Sequence, residues 1–178
     1  MPILEPLSFE VVSHGDEQTQ RIGARLGVLL PTPCIVALIG PMGAGKTHFA
    51  RGVGIGWGAE QALRSPTFTL VQTHHQSKPA GEATTVLSDR RNTLYHIDLY
   101  RAETDADLDS IGLDEILEEP DAVCLIEWPD RILNRLPPET IRVKLDVSAE
   151  TKRMLTFSTQ ATSTWQVLLA FRKSVYGV

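Results

Sequence analysis

Residues 40–47 have the types and spacing of a phosphate-binding loop. Gly40, Gly45, Lys46 and Thr47 match the pattern G-x-x-x-x-G-K-[ST]. Glycines let the backbone turn so that successive N–H groups face a phosphate, while the lysine and the hydroxyl would bind phosphate oxygens and Mg²⁺. The sequence therefore predicts a nucleoside triphosphate and Mg²⁺ as ligands. The other loop residues expected to line the nucleotide are Met42, Gly43 and Ala44.

Two acidic residues could complete the metal site. Glu127 follows the apolar run 122–126, and Asp98 follows the run 94–97. Phosphate-binding loops usually work with an acidic group at the end of a neighbouring strand. The more apolar run favours Glu127 as the Mg²⁺ partner beside Thr47, although either carboxylate could orient an attacking water. For Asp98, a buried structural role is the alternative.

Thr67 is a candidate for sensing the nucleotide. It lies after the loop and its helix and before a β-rich segment, where switch-type loops carry a threonine that contacts the γ-phosphate. An ordinary threonine in a turn before a strand explains the position equally well.

The elements that must position these residues indicate a sheet covered by helices. Runs 34–39 and 122–126 are continuously apolar, which is typical of strands buried on both faces. Such strands, interleaved with helical patterns, predict a three-layer α/β fold. Further strands are expected at residues 7–12, 67–73 and 93–98, with a late antiparallel pair at 141–147 and 154–158.

Helices are expected at residues 16–30 and 164–176, with one or two helical turns within 105–119. Ser13 or Asp16 would be the N-cap of the first helix. A short helix should follow the loop over residues 46–53 and end early, because glycines weaken a helix interior. Those glycines are Gly52, Gly54, Gly56 and Gly58.

Length and composition indicate a single domain covering residues 1–178, with an exposed loop insertion at 75–92. No apolar run approaches the roughly 20 residues that span a bilayer. The first residues lack a signal-peptide pattern, so a cytoplasmic protein without a membrane partner is expected. Residues 103–121 contain nine carboxylates and no Lys or Arg, which argues against autonomous nucleic-acid binding. This acidic run is either a solvated helical face or a surface for a basic partner.

Four segments together resemble the TsaE (YjeE) family, the ATPase component of bacterial tRNA threonylcarbamoyladenosine synthesis. They are the loop 40–47, Ser-Pro-Thr-Phe-Thr-Leu-Val at 65–71, Tyr-His-Ile-Asp-Leu-Tyr-Arg at 95–101 and Leu-Ile-Glu-Trp-Pro at 125–129. Phosphate-binding loops are common, but H-x-D-x-Y-R and E-W-P together are specific. The resemblance runs over roughly residues 7–157, in the order and spacing of the family.

The resemblance implies a P-loop NTPase-type α/β/α fold with a central mixed sheet and a late antiparallel extension. It also implies weak ATP hydrolysis, with ATP and Mg²⁺ as cofactors, inside an assembly with TsaD-like and TsaB-like subunits. That assembly modifies the adenosine beside the anticodon, and tRNA would be contacted only through it.

By position, the resemblance also assigns roles to residues. Lys46 would bind phosphate, and Thr47 and Glu127 would be the two protein ligands of Mg²⁺. Asp98 and Thr67 resemble the hydrolysis and switch residues. The stretch from Asp16 to Thr19 resembles the part that approaches the nucleotide base.

The chain departs from the family at two places near the predicted site. His48 stands where a second threonine is usual, which could alter contact with the α-phosphate. Residues 151–153 replace a glycine-arginine turn, which weakens the expectation of a nucleotide contact there.

Three other functions fit the loop less well. A small-molecule kinase would need an arginine-rich lid, for which Arg131 and Arg135 are the available residues. A GTP-driven switch would need an N-K-x-D segment, which the sequence lacks. A non-catalytic nucleotide-binding module stays open because of the acidic run.

Overall fold

The computed structural model describes residues 7–77 and 92–177, and a single mixed sheet of seven strands forms their centre. The strands are β1 Leu7–Ser13, β2 Cys34–Ile39, β3 Val71–His75, β4 Thr93–Asp98, β5 Ala122–Glu127, β6 Ile141–Val147 and β7 Arg153–Thr159. They lie in the order β1-β7-β6-β2-β5-β4-β3.

The central strands β6, β2, β5 and β4 are parallel to one another. At one edge β7 pairs antiparallel with β6, and β1 pairs antiparallel with β7. At the other edge β3 pairs antiparallel with β4. The predicted mixed sheet with a late antiparallel extension is confirmed. The pairing of the first strand with the last one is a feature that the sequence pattern did not predict.

Helices cover both faces of the sheet. They are α1 Asp16–Leu29, α2 Lys46–Trp57, α3 Asp105–Ser110, α4 Leu113–Leu117 and α5 Thr162–Tyr176. One apolar cluster joins α1, α2 and α5 to the first face, and a second cluster joins α3 and α4 to the opposite face. The chain therefore has the three layers that its alternating pattern predicted.

The prediction that α2 ends early is wrong, because the helix continues through Gly52, Gly54 and Gly56 to Trp57. These glycines serve helix packing. A Cβ atom on Gly52 would lie 1.9 Å from the Gln20 carbonyl oxygen, and one on Gly56 would lie 1.8 Å from that of Ala24. Close approach of α1 outweighs the low helix propensity of glycine, and α2 ends at Gly58, which adopts the left-handed conformation.

The prediction of a side-chain N-cap on α1 is also wrong. Gly15 occupies the N-cap position, and no side chain of the described residues caps the helix. Ser13 lies at the end of β1, where its hydroxyl is 2.7 Å from that of Thr19 and donates to the Gly15 carbonyl oxygen. Asp16 is already the first helical residue, so its carboxylate is in the first turn, where the helix dipole favours it.

The predicted strand over residues 67–73 forms only in its second part. Residues 67–70 make a turn in which the N–H groups of Thr69 and Leu70 both donate to the Pro66 carbonyl oxygen. Leu70 has a positive φ of 61°, which ends the turn, and β3 begins at Val71. Thr67 therefore lies in a loop.

Most of the predicted loop insertion at 75–92 lies outside the described residues. Its predicted start is too early, because His75 still belongs to β3 and Gln76 forms a bridge with Ala59. Within the parts of the chain that the structure describes, no helix is both long and apolar enough to cross a membrane.

Candidate nucleotide-binding site

The loop between β2 and α2 owes its shape to glycine. Gly40, Gly43 and Gly45 have φ values of 152°, 76° and 99°, which side chains rarely allow. A Cβ atom on Gly40 would also lie 2.4 Å from the Leu145 carbonyl oxygen of β6. The loop leads directly into the N-terminus of α2, whose unpaired N–H groups favour an anion.

Lys46, the first residue of α2, folds back across this loop. Its Nζ donates to the carbonyl oxygens of Gly40 at 2.7 Å and Pro41 at 2.9 Å. It also lies 3.7 Å from the centre of the Trp128 ring. Burial lowers the pKa of Lys46, and the nearby carboxylates, chiefly Glu127 and Asp98, oppose that shift. The ammonium group is thus held at the centre of the loop.

Thr47 meets Glu127 where β2 and β5 end side by side. The Thr47 hydroxyl donates to Glu127 Oε2 at 3.1 Å. Leu38 pairs with Glu127 in the β2–β5 register, so the carboxylate lies at the carboxyl end of the parallel strands, beside the loop. Glu127 is only 2% exposed, and its other oxygen lies 2.8 Å from His96 Nε2.

Asp98 lies beside Glu127 but has different partners. The two residues pair directly in the β4–β5 register. Asp98 Oδ2 accepts hydrogen bonds from Thr67 at 2.7 Å and from Ser65 at 3.2 Å. Its Oδ1 accepts the Tyr100 backbone N–H at 2.9 Å. Asp98 therefore attaches the Thr67 loop to the end of β4.

These residues surround a cleft of about 420 Å³, a size typical of small-molecule sites. Of the residues predicted to bind a nucleotide or act on it, eleven line the cleft, namely Asp16, Met42, Gly43, Ala44, Gly45, Lys46, Thr47, His48, Thr67, Asp98 and Glu127. Gly40 and Thr19 are outside the lining. Four further residues line the cleft without having been predicted as site residues, namely Ser65, Tyr100, Trp128 and Arg153.

The two α1 residues predicted to approach the nucleotide base, Asp16 and Thr19, have different surroundings. Asp16 lies in the cleft lining, with its carboxylate 3.8 Å from His48 Nε2. Thr19 is buried instead, and its hydroxyl lies 2.7 Å from that of Ser13. Its methyl group would be 3.7 Å from a Cβ on Gly45, so Thr19 supports the loop from below.

Two aromatic side chains form one wall of the cleft. Trp128 and Tyr100 follow the acids that end β5 and β4 and lie with ring centres 4.9 Å apart. Trp128 has a φ of 57°, and a left-handed conformation of this kind costs a non-glycine residue about 1–2 kcal/mol. In this conformation the Trp128 ring lies over the Lys46 ammonium group. A signal for this wall was present in the sequence, since both aromatics follow closely after candidate acids.

Arg153 reaches the loop from the start of β7, and its Nη2 lies 3.4 Å from the Gly43 carbonyl oxygen. Three other bonds hold the same guanidinium group against the carbonyl oxygens of residues 149, 150 and 152. The turn at residues 151–153 thus places a cation in the cleft lining, although the missing glycine-arginine turn had weakened that expectation. No local pattern marked this arginine, because sheet order alone brings β7 near the loop.

The residues present fit a phosphate chain with a divalent cation. Lys46, Arg153 and the N-terminus of α2 are positively charged groups that would suit phosphate oxygens. The Thr47 hydroxyl and the carboxylates of Glu127 and Asp98 are the oxygen donors that Mg²⁺ prefers. The shape of the loop supports the same ligand, because glycines without a Cβ allow the backbone to approach the phosphates.

Comparison with known proteins agrees with the family resemblance of the sequence. The family model described as "Threonylcarbamoyl adenosine biosynthesis protein TsaE" matches residues 13–155. Proteins named tRNA threonylcarbamoyladenosine biosynthesis protein TsaE are similar to the chain. The one from Treponema pallidum is 36% identical over 82% of this chain and 96% of its own length. The one from Mycobacterium tuberculosis is 36% identical over 80% and 82%, respectively.

A solved structure matches the fold. The crystal structure of Bacillus subtilis YdiB superposes with a TM-score of 0.69 at 25% sequence identity. The match covers 96% of this chain and 97% of that chain. The P-loop NTPase-type α/β fold predicted from the sequence is therefore confirmed.

Proposed function

The chain belongs to the TsaE family of threonylcarbamoyladenosine biosynthesis proteins, and from this premise we propose that it is a Mg²⁺-dependent ATPase of low intrinsic activity. It would act in the threonylcarbamoyl modification of the adenosine beside the tRNA anticodon. Such a role suits a cytoplasmic protein.

The contact between Thr47 and Glu127 carries the proposal. The Thr47 hydroxyl in the first turn of α2 lies 3.1 Å from the buried Glu127 carboxylate at the end of β5. This pairing brings together the two kinds of oxygen ligand that P-loop proteins offer to Mg²⁺. Lys46 directly precedes Thr47, and its ammonium group can exchange the carbonyl oxygens of Gly40 and Pro41 for phosphate oxygens.

The two acids are proposed to divide the work. Glu127 and Thr47 hold the metal, and Asp98 with Thr67 orients the attacking water and responds to the γ-phosphate. The different partners of the two acids support this division, since Asp98 binds the Thr67 loop and Glu127 binds the start of α2. Mg²⁺ would neutralise charge that develops on the phosphate oxygens.

Nucleotide contacts beyond the phosphates are proposed for the cleft lining. Asp16 and His48 lie at the α1 side of the cleft, and Met42 lies exposed at the loop tip. Thr19 would act indirectly, through its packing below Gly45. Arg153 adds a cation to the phosphate-binding set.

TsaD-like and TsaB-like subunits are the proposed partners, and tRNA would be reached only through them. Retention of purified TsaD-type and TsaB-type proteins on the immobilised chain, with and without ATP, tests this part. Absence of retention under both conditions would remove the partners from the proposal and leave nucleotide binding standing.

Replacement of Lys46 tests nucleotide binding itself. Lys46→Ala should weaken ATP binding by roughly 100-fold, because a buried charge-assisted contact to phosphate is lost. Isothermal titration calorimetry measures this effect. Lys144→Ala is the matched control, because Lys144 is an exposed lysine paired with Asp146 on β6. Unchanged ATP affinity in Lys46→Ala would refute the phosphate assignment.

A further inference from the structure

His96 lies behind the proposed metal pair and is itself absent from the cleft lining. It is fully buried in β4, two residues before Asp98 and on the same face of the sheet. Its Nε2 lies 2.8 Å from Glu127 Oε1. The β4–β5 register pairs His96 with Leu125, so the imidazole reaches diagonally across to Glu127.

The two oxygens of Glu127 differ in their nearest neighbours. Oε1 lies 2.8 Å from His96 Nε2 and 3.4 Å from the Thr47 hydroxyl, whereas Oε2 accepts that hydroxyl at the shorter distance of 3.1 Å. A carboxylate is an acceptor only, so Nε2 must carry a proton to bind it. With one oxygen held by an imidazole donor, rotation of the carboxylate is restricted and the second oxygen stays directed at Thr47.

The remaining polar atom of His96 indicates that the Glu127 contact is its main polar interaction. Nδ1 is buried and has no hydrogen-bond partner among the described residues. The interaction with Glu127 offers a reason for a histidine at this position.

We propose that His96 is the positioning residue of this site, which fixes the Glu127 carboxylate through its Nε2 and thereby sets the affinity for Mg²⁺. The inference rests on the proposed function, because it assigns a supporting residue to the proposed metal pair. It differs from that function in what it requires, since nucleotide binding through Lys46 does not depend on His96.

Two substitutions at His96 separate positioning from packing. Leucine keeps the buried apolar volume but has no donor, whereas glutamine offers an amide N–H near the position of Nε2. ATP affinity measured by calorimetry over a series of Mg²⁺ concentrations gives the apparent Mg²⁺ affinity. We expect His96→Leu to weaken that affinity by about 10- to 100-fold, the usual effect of losing a supporting hydrogen bond at a metal site, and His96→Gln to restore most of it.

His74→Leu is the matched control. His74 is also a buried histidine on this face of the sheet, and its Nε2 likewise has no hydrogen-bond partner among the described residues. It lies on β3, where it pairs with Leu94, two residues before His96 on β4, and it is absent from the cleft lining. His74→Leu should leave the Mg²⁺ dependence as in the wild type.

ATP affinity in EDTA is the second readout, and His96→Leu should leave it unchanged. If the apparent Mg²⁺ affinity of His96→Leu is no weaker than that of His74→Leu, the inference is overturned. A His96→Gln variant as impaired as His96→Leu would also overturn it. A wild-type protein that binds ATP equally with and without Mg²⁺ would instead refute the metal part of the proposed function.

A measurement on the unaltered, metal-free protein completes the test without relying on a folded variant. The long-range ¹H–¹⁵N spectrum of the histidines reports which ring nitrogen carries the proton. We expect His96 to carry a proton on Nε2. A neutral ring protonated at Nδ1 alone would leave no donor for Glu127 and would overturn the inference.

Discussion

Among single residues, Asp98 and Glu127 have equivalent places in the fold and different surroundings. Both end parallel strands and pair with each other across β4 and β5. Glu127 accepts from Thr47 of the phosphate-binding loop, whereas Asp98 accepts from Ser65 and Thr67 of the loop before β3. The side chains around each acid, and not their position on the strands, therefore distinguish their proposed roles.

Asp98→Asn should slow ATP hydrolysis by about 100-fold or more while ATP affinity stays unchanged. An amide cannot accept a proton or orient water as a carboxylate does, and general-base groups contribute about 10²–10⁴-fold to rates. Steady-state phosphate release in the presence of the partner subunits, together with calorimetric ATP binding, measures both quantities.

The control for Asp98→Asn is Asp130→Asn. Asp130 is an exposed carboxylate that acts on Lys46 through its charge but is absent from the cleft lining. If both variants lose activity equally, the effect reflects charge near Lys46, and the assignment of Asp98 to the water fails.

Among the elements, α1 and α2 pack with their backbones in contact. Gly23 and Gly27 on α1 face the backbone of α2, and Gly52 and Gly56 on α2 face that of α1. Both pairs have the spacing G-x-x-x-G, so the two helices place their backbones in contact. This packing holds the α2 N-terminus, and with it Lys46, against the sheet.

Gly56→Ala should destabilise the fold by roughly 2 kcal/mol. Alanine in a helix interior gains about 1 kcal/mol over glycine, but overpacking costs about 1–3 kcal/mol and more at close contacts. Here the added Cβ would lie 1.8 Å from a backbone oxygen, so the helices must move apart. Urea unfolding followed by circular dichroism gives the free energy of unfolding.

Gly15→Ala serves as its control, because no other atom of residues 7–77 and 92–177 comes within 4 Å of a Cβ there. Its φ of 171° is extended backbone that alanine adopts, so the change should stay below about 0.5 kcal/mol. Stabilisation by Gly56→Ala would show that the helices are not in backbone contact.

In the molecule as a whole, the sheet separates two apolar layers, and each contains one cysteine. Cys34 on β2 packs with α1, α2 and α5, and Cys124 on β5 packs with α3 and α4. Burial raises the pKa of both thiols to about 12, with Cys124 adding to the shift of Cys34 and Glu119 to that of Cys124. The two thiols therefore report on both layers.

The native protein should not react with a disulfide reagent at pH 8. The thiolate is the reactive form, and a thiol with a pKa of about 12 is ionised in only about one molecule in ten thousand at that pH. Reaction should begin when denaturant unfolds the chain and should then consume both thiols. The absorbance of released thionitrobenzoate follows the reaction, and rapid labelling of the folded protein would contradict the burial of these side chains.

Local sequence determined the loop, most of the strands and the acids that follow them. The loop was predictable because the φ values at Gly40, Gly43 and Gly45 require glycine. The strands 34–39 and 122–126 were predictable because burial on both faces requires continuous apolar runs. Asp98 and Glu127 were predictable as candidates because each directly follows an apolar run.

Tertiary structure decided the rest, because the contacts involved join residues far apart in the chain. The length of α2 depends on its contact with α1, which outweighs the propensity of its glycines. Arg153 reaches the loop because β7 pairs with β6, which lies beside β2. The contact of His96 with Glu127 depends on the β4–β5 register. Propensity and periodicity record the conformation of neighbouring residues, whereas strand order and helix contacts arise when distant surfaces are buried together.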